Sequence, residues 1–286
     1  MYSEKLSNMK PKKFSSEIMH CFFCIFNQIL QQFIMKNLKI SGLNLDIIWK
    51  DKESNFKKIS ELLSHETSDL FVLPEMFSTG FYMKAEETAD RNQETLNWMK
   101  IFAETTNTAV CGSAAVYENE NFYNRFYFVE SNGNHHQYDK RHLFSFSGED
   151  KNYTSGKDRV IVNYKGWRIL LQVCYDLRFP VFARNNDDYD AILYVANWPE
   201  VRIDAWKTLL KARAIENLAY VFGLNRIGTD GNNLHYPESS YCYAADGSLA
   251  SITENNIVSA EFNAEKLLKF REKFRFLNDR DSFKII

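Results

Sequence analysis

From Leu38 onward, short apolar runs alternate with stretches in which apolar residues recur every three or four positions. Runs of the first kind suit strands, and stretches of the second kind suit amphipathic helices. Leu38–Trp49 alternates in part and predicts a strand, after which Phe56, Ile59, Leu62 and Leu63 follow at helical spacing. Leu70–Leu73 predicts a short buried strand that stops at Pro74-Glu75, and Asn92–Thr106 a helix with Leu96, Met99 and Phe102 on one face. Thr108–Tyr117 and Tyr123–Glu130 predict strands. The second runs into Asn132-Gly133, a hairpin signal after which His136–Asp139 should pair back. A polar loop (145–158) precedes an apolar strand, Trp167–Val173, that ends at Cys174; Ala191–Ala196 is another, ending at Asn197-Trp198. Asp204–Leu218 predicts a helix with Trp206, Leu209, Leu210, Ala214 and Leu218 inward. Tyr220–Leu224, Ser240–Ala244 and Ile257–Phe262 complete the strands, with Asp246-Gly247 a turn between two of them. Strands and helices alternate in the first half and hairpins gather later, so one mixed α/β domain with two sheets is expected over 35–286.

The two ends of the chain break this pattern. Residues 1–34 carry Lys5, Lys10, Lys12 and Lys13 and then an apolar stretch interrupted by Asn27, Gln28, Gln31 and Gln32. That stretch lacks the unbroken run and cleavage site of a signal peptide and is too short to span a bilayer. The segment is expected to be a dispensable extension, with the functional chain starting at Met35. The tail, Lys266–Ile286, is charged, and Phe270, Phe274 and Phe276 are spaced for packing on a neighbour, as a dimer arm would be.

Composition narrows the function classes. With 286 residues and 45% apolar content the chain can bury a core without disulfides or metals. Lys and Arg number 35 against 37 Asp and Glu, so no net field favours nucleic acid or a membrane surface. Five cysteines, at 21, 24, 111, 174 and 242, form no secreted disulfide framework, and a reducing cytoplasm is the expected compartment. Cys21-Phe-Phe-Cys24 has redox or zinc spacing, yet no second pair follows, and two small apolar residues are the expected reading. None of the six histidines belongs to a cluster with metal-ligand spacing, and Gly80 and Gly112 are too isolated for a phosphate loop.

Glu75, Cys174 and Asn197 share a position: each follows an apolar run that should be a buried strand. The carboxyl ends of such strands converge where α/β proteins bind ligands. A carboxylate there is costly unless solvated, paired or catalytic. Glu75 capping a turn and Cys174 filling a core position are the alternatives. Lys140 ends the returning hairpin strand. Near a thiol and a carboxylate it could favour thiolate and stabilise an oxyanion; alternatively it is a solvated lysine beside Asp139.

Leu73-Pro74-Glu75-Met76-Phe77, Tyr138-Asp139-Lys140-Arg141-His142-Leu143-Phe144 and Val173-Cys174-Tyr175-Asp176-Leu177-Arg178-Phe179-Pro180 resemble the three signature blocks of the nitrilase (carbon–nitrogen hydrolase) superfamily, in its order. Tyr194-Val195-Ala196-Asn197-Trp198-Pro199 and Ala212-Arg213-Ala214-Ile215-Glu216-Asn217 extend the resemblance, which covers about residues 36–265. The wording Cys-Tyr-Asp-Leu-Arg-Phe-Pro and the short Ser147-Gly148-Glu149 loop are most similar to the ω-amidase branch. The resemblance implies an αββα sandwich with two mixed sheets between helix layers, a homodimer, and cofactor-free, metal-free hydrolysis of a carbon–nitrogen bond. Carried over position by position, it makes Cys174 the nucleophile, Glu75 the general base and Lys140 the third triad member. Glu149 matches the family's second glutamate, with an exposed loop acid beside Asp150 as the alternative.

The implied substrate is a small dicarboxylic monoamide, 2-oxoglutaramate or 2-oxosuccinamate. The implied setting is methionine salvage and the clearing of keto-acid amides. The Tyr175 backbone N–H is expected to help hold the oxyanion. A distal carboxylate needs a fixed cation, for which Arg178 is the candidate; an internal salt bridge to Asp176 or another acid is its alternative. Phe81, Tyr82, Phe144 and Trp198 are expected walls of the pocket, with Asn197 beside them. Other amides, N-carbamoyl compounds and nitriles remain rival substrates, and a non-catalytic binding protein is the rival from another class.

Overall fold

The computed structural model describes residues 35–186 and 188–285. The extension expected over 1–34, Cys21 and Cys24 included, lies outside the described residues. In chain order the strands are β1 (Leu38–Leu43), β2 (Leu70–Val72), β3 (Ala109–Glu118), β4 (Asn121–Val129), β5 (His135–Asp139), β6 (Ile161–Tyr164), β7 (Trp167–Val173), β8 (Ala191–Ala196), β9 (Tyr220–Asn225), β10 (Gly228–Thr229), β11 (His235–Tyr236), β12 (Tyr241–Tyr243), β13 (Ser251–Glu254) and β14 (Ile257–Phe262). The helices are α1 (Lys52–Leu62), α2 (Ala85–Thr88), α3 (Glu94–Thr106), α4 (Pro180–Ala183), α5 (Ile203–Asn217) and α6 (Ala264–Phe274).

Two mixed sheets result, ordered β13-β14-β1-β2-β3-β4-β5 and β12-β9-β8-β7-β6. Each has a parallel centre, β1-β2-β3 in one and β7-β8-β9 in the other, flanked by antiparallel strands. The two-residue period of a strand sorts side chains between the layers. On β1, Leu43 faces the cluster that α1 and α3 cover with Ile59, Leu96 and Met99. Its neighbour Gly42 turns to the second sheet, where a Cβ would lie 2.7 Å from Leu224 and 2.9 Å from Phe222. On β9 the alternation repeats. Phe222 and Leu224 meet Gly42, while Gly223 faces Trp206 and Leu210 of α5 so closely that no side chain fits. The layers are therefore helix, sheet, sheet, helix, the αββα sandwich expected from the sequence.

Local chemistry starts the helices. Asp51 accepts a hydrogen bond from the Ser54 N–H at the start of α1, and Asn263 caps α6 through Lys266. On the outer face of the first sheet Phe56, Trp98 and Phe102 stack in series, with ring centroids 4.6 and 5.1 Å apart.

Two expectations are corrected. The strand expected over Leu38–Trp49 stops at Leu43, because the buried Asn55 side chain claims the backbone of the following loop: its Oδ1 accepts from the Ile48 N–H and its Nδ2 donates to the Ile48 carbonyl. The polar loop over 145–158 coils into two 3-10 turns, Ser145–Ser147 and Glu149–Lys151, that bury Glu149. The tail begins as α6, which docks on its own chain. Leu267 is buried and Arg271 binds Asp190 and the carbonyls of Leu218 and Tyr189, while Phe270, Phe274 and Phe276 pack against one another.

Candidate active site

Glu75 follows β2, Lys140 follows β5, Cys174 follows β7 and Asn197 follows β8. The first two strands belong to one sheet and the last two to the other, so the four residues meet at the shared edge of the sandwich. Glu75, Lys140 and Glu149 are fully buried, and Cys174 is 9% exposed. The Lys140 ammonium donates to Glu75 Oε1 at 2.9 Å and to Glu149 Oε2 and Oε1 at 2.9 and 3.1 Å. Backbone donors add to the ammonium. The Asn197 N–H reaches Glu75 Oε2 at 2.8 Å, and the Phe144 N–H reaches Glu149 Oε2 at 2.6 Å. Asn124 Nδ2 bridges the two acids, 2.8 Å from Glu75 Oε1 and 3.2 Å from Glu149 Oε1. Asn124 is itself fixed by the Ser113 hydroxyl at 2.8 Å. Buried charge survives only with such complete pairing.

The thiol carrier is held as firmly. Cys174 opens a 3-10 turn, Cys174–Arg178, with φ at +45°, a left-handed conformation that a non-glycine residue adopts at a cost. Asp176 secures the turn from behind. Its Oδ2 accepts from the Val173 N–H and the Tyr138 hydroxyl, and its Oδ1 from the His142 N–H, with His142 Nδ1 2.7 Å away. His142 stacks on Phe179 with centroids 3.9 Å apart. This network also settles where Asp176 spends its charge: no ion pair joins it to Arg178.

Electrostatics set the resting protonation. Burial alone would depress the Lys140 ammonium, but Glu149 and Glu75 together outweigh it and hold Lys140 above the ordinary lysine value. Burial raises Glu149 against the pull of Lys140. Burial and then Glu75 push Cys174 well above its usual 9.0, with Lys140 opposing. At the thiol, burial therefore outweighs the pull of Lys140 and favours the protonated form beside the Glu75 carboxylate. The thiolate absorbance of wild type minus Cys174→Ala should accordingly still be rising as pH passes 9.0. A plateau at neutral pH would mean that Lys140 prevails.

A cavity of about 330 Å³ opens over Cys174. Phe81, Phe144, Tyr175, Arg178, Asn197 and Trp198 line it. Tyr82 is not among its walls; its hydroxyl turns to Glu87 and its ring to Trp49. Sequence reasoning missed Asn124, Asp230, Tyr236 and Arg202, the last three also on the cavity wall. Asn124 carried a signal, an amide set among the aromatic residues of the strand Asn121–Val129; Arg202 carried none. Among the described residues no group of His, Cys, Asp and Glu could hold a metal. Nor is any described helix long and apolar enough to cross a membrane.

A thiol that opens on a small cavity, with a carboxylate and an ammonium buried beside it, can attack a polarised carbon bonded to nitrogen. Comparison with known proteins identifies the family of the chain. The sequence profile of the carbon–nitrogen hydrolases matches residues 39–270. The chain belongs to the carbon–nitrogen hydrolase family. It is a hydrolase of amide carbon–nitrogen bonds. This hydrolase is 44% identical over 256 residues to omega-amidase YafV of Yersinia enterocolitica, covering 88% of its own length and all of that relative. It is 32% identical to the 2-oxoglutaramate amidase of Bacillus subtilis, covering 84% of itself and 96% of that protein. Among solved structures it resembles a CN-hydrolase superfamily protein of Xanthomonas campestris whose active site carries an arsenic adduct. There the TM-score is 0.84 at 40% identity, over 88% of this chain and 100% of the other. The fold is shared more distantly with a nitrilase-superfamily protein of Saccharomyces cerevisiae, at 20% identity with a TM-score of 0.75, over 84% and 94% of the two chains.

Proposed function

We propose that this hydrolase is an ω-amidase that cleaves the terminal amide of small dicarboxylic monoamides, 2-oxoglutaramate and 2-oxosuccinamate, through a Cys174 thioester. The observation that carries the reading is the Lys140 ammonium shared by two buried carboxylates beside a protonated thiol. The similarity to an omega-amidase and to a 2-oxoglutaramate amidase supports the substrate class.

In this mechanism Glu75 takes the Cys174 proton as sulfur attacks the amide carbon. The carbonyl π electrons move onto oxygen, and the oxyanion is met by the Lys140 ammonium and the Tyr175 N–H. Loss of one such donor typically raises a barrier by about 3 kcal/mol, so this stabilisation is a major part of catalysis. Glu75 then gives its proton to the nitrogen, the carbon–nitrogen bond breaks, and ammonia leaves. Water enters, loses a proton to Glu75 and attacks the thioester; the acid departs and sulfur recovers its proton. Glu149 holds Lys140 aimed at the carbonyl oxygen throughout. Arg178, its guanidinium on the cavity, takes the distal carboxylate.

Ammonia release separates this reading from its rivals. The purified protein should turn over 2-oxoglutaramate and 2-oxosuccinamate at least about 100-fold faster than N-carbamoyl amino acids or nitriles. Preference for either of the latter would overturn the ω-amidase assignment while leaving the family intact.

A further inference from the structure

We infer that Arg202 is a specificity-determining residue that works with Arg178 to read the 2-oxo-carboxylate end of the substrate; the inference rests on the monoamide reading above. Both arginines line the cavity over Cys174. The Arg178 guanidinium lies over the Trp198 ring, 5.1 Å from its centroid, and that of Arg202 lies over Phe144, at 5.0 Å. Trp198 and Phe144 are themselves walls of the cavity. The Trp198 indole N–H donates to the Arg202 carbonyl at 2.7 Å, which ties the second arginine's backbone to the ring that carries the first. A guanidinium seated over a ring still has five N–H donors with which to bind a ligand.

Neither guanidinium has an ion pair among the described residues. The nearest candidate on the same wall, Asp230, is already committed. Its Oδ1 accepts the N–H groups of Asn232 and Leu234 at 2.8 and 3.0 Å, and its Oδ2 accepts the Tyr236 hydroxyl at 2.9 Å. The cavity therefore offers two donor forks with no acid of the protein to satisfy them.

A carboxylate engages one fork bidentately. The second needs another acceptor beside it, and the ketone oxygen of a 2-oxo acid is such an acceptor, roughly coplanar with the carboxylate. A methylene at that position accepts nothing. An ammonium there, as in a 2-amino acid, meets two positive charges in a partly desolvated site. The order of preference is thus 2-oxo over unsubstituted over 2-amino monoamide, set by charge and acceptor count while the amide end stays the same.

The test compares kcat/KM for 2-oxoglutaramate, glutaramate and L-glutamine in wild type, Arg202→Gln and Arg178→Gln. In Arg202→Gln, 2-oxoglutaramate should lose about 10-fold to 100-fold, mainly through KM, and glutaramate much less, so their ratio contracts. The ratio of 2-oxoglutaramate to glutamine should contract as well. Arg178→Gln should weaken 2-oxoglutaramate and glutaramate together. Unchanged ratios in an Arg202→Gln protein that melts like wild type would overturn the assignment to Arg202 and leave the ω-amidase reading standing. A wild type that ignores 2-oxoglutaramate and hydrolyses other amides would overturn the ω-amidase reading itself, and this one with it.

Discussion

Cys174→Ala is expected to release ammonia from its best amide at least about 10⁴-fold more slowly than wild type, while keeping its fold. The magnitude follows from the chemistry: without sulfur there is no thioester, and Glu75 must activate water against an unactivated amide. The fold should survive because the side chain is small, and Ala accepts the +45° φ of this position no worse than Cys does. The hydrogen bonds of the turn also belong to Asp176 rather than to the thiol. Rapid acid quench and mass spectrometry of wild type with 2-oxoglutaramate should find an acyl group on Cys174, absent from the variant. Undiminished turnover in Cys174→Ala, with its melting temperature unchanged, would remove the covalent mechanism altogether.

The second large effect is on stability as well as rate. Lys140→Met should abolish turnover and destabilise the protein by about 3–5 kcal/mol, because it strands two buried carboxylates that now share one ammonium. For a chain of this size that is on the order of 10 °C in melting temperature. The pH dependence has a definite sign. Burial already raises Glu149, and removing Lys140 takes away the partner that opposed the rise. The folded variant then binds more protons than the unfolded chain, so its deficit should shrink as pH falls toward the ordinary Glu value of 4.5 and grow as pH rises. In wild type the raised Lys140 contributes stability that is complete below 10.5 and fades above it. Adding Glu149→Gln to Lys140→Met should recover part of the stability and none of the activity. Denaturant midpoints measured across pH check both signs; a pH-independent difference would mean that the deficit comes from packing instead.

Much of this hydrolase is legible before any coordinates. Trp167–Val173, Ala191–Ala196 and Ile257–Phe262 are strands over the ranges the apolar runs predict, since each run is bounded by residues that turn or solvate the chain. The three signature blocks give the family, and the strand-end positions of Glu75 and Cys174 give a reason to suspect chemistry. Glu149 was less legible. A glutamate in a polar stretch, beside Asp150 and Lys151, has the composition of a solvated loop. Only the coil of the 3-10 turns carries it inward to Lys140.

Local periodicity thus marked most of the elements along the chain, and the signature blocks, through their resemblance to the family, implied the αββα layering and the candidate reactive groups. Tertiary structure decided what those groups are to one another. Glu75 and Lys140 come from one sheet and Cys174 and Asn197 from the other, so the acid meets the thiol and the Asn197 N–H only when two separate hydrogen-bonded layers close face to face. That closure also desolvates the thiol, which pushes its pKa up against the pull of Lys140. It brings Arg202, which has no local mark in the chain, onto the same cavity as Arg178. Desolvation and charge proximity are properties of the packed molecule, and no spacing along the chain encodes them.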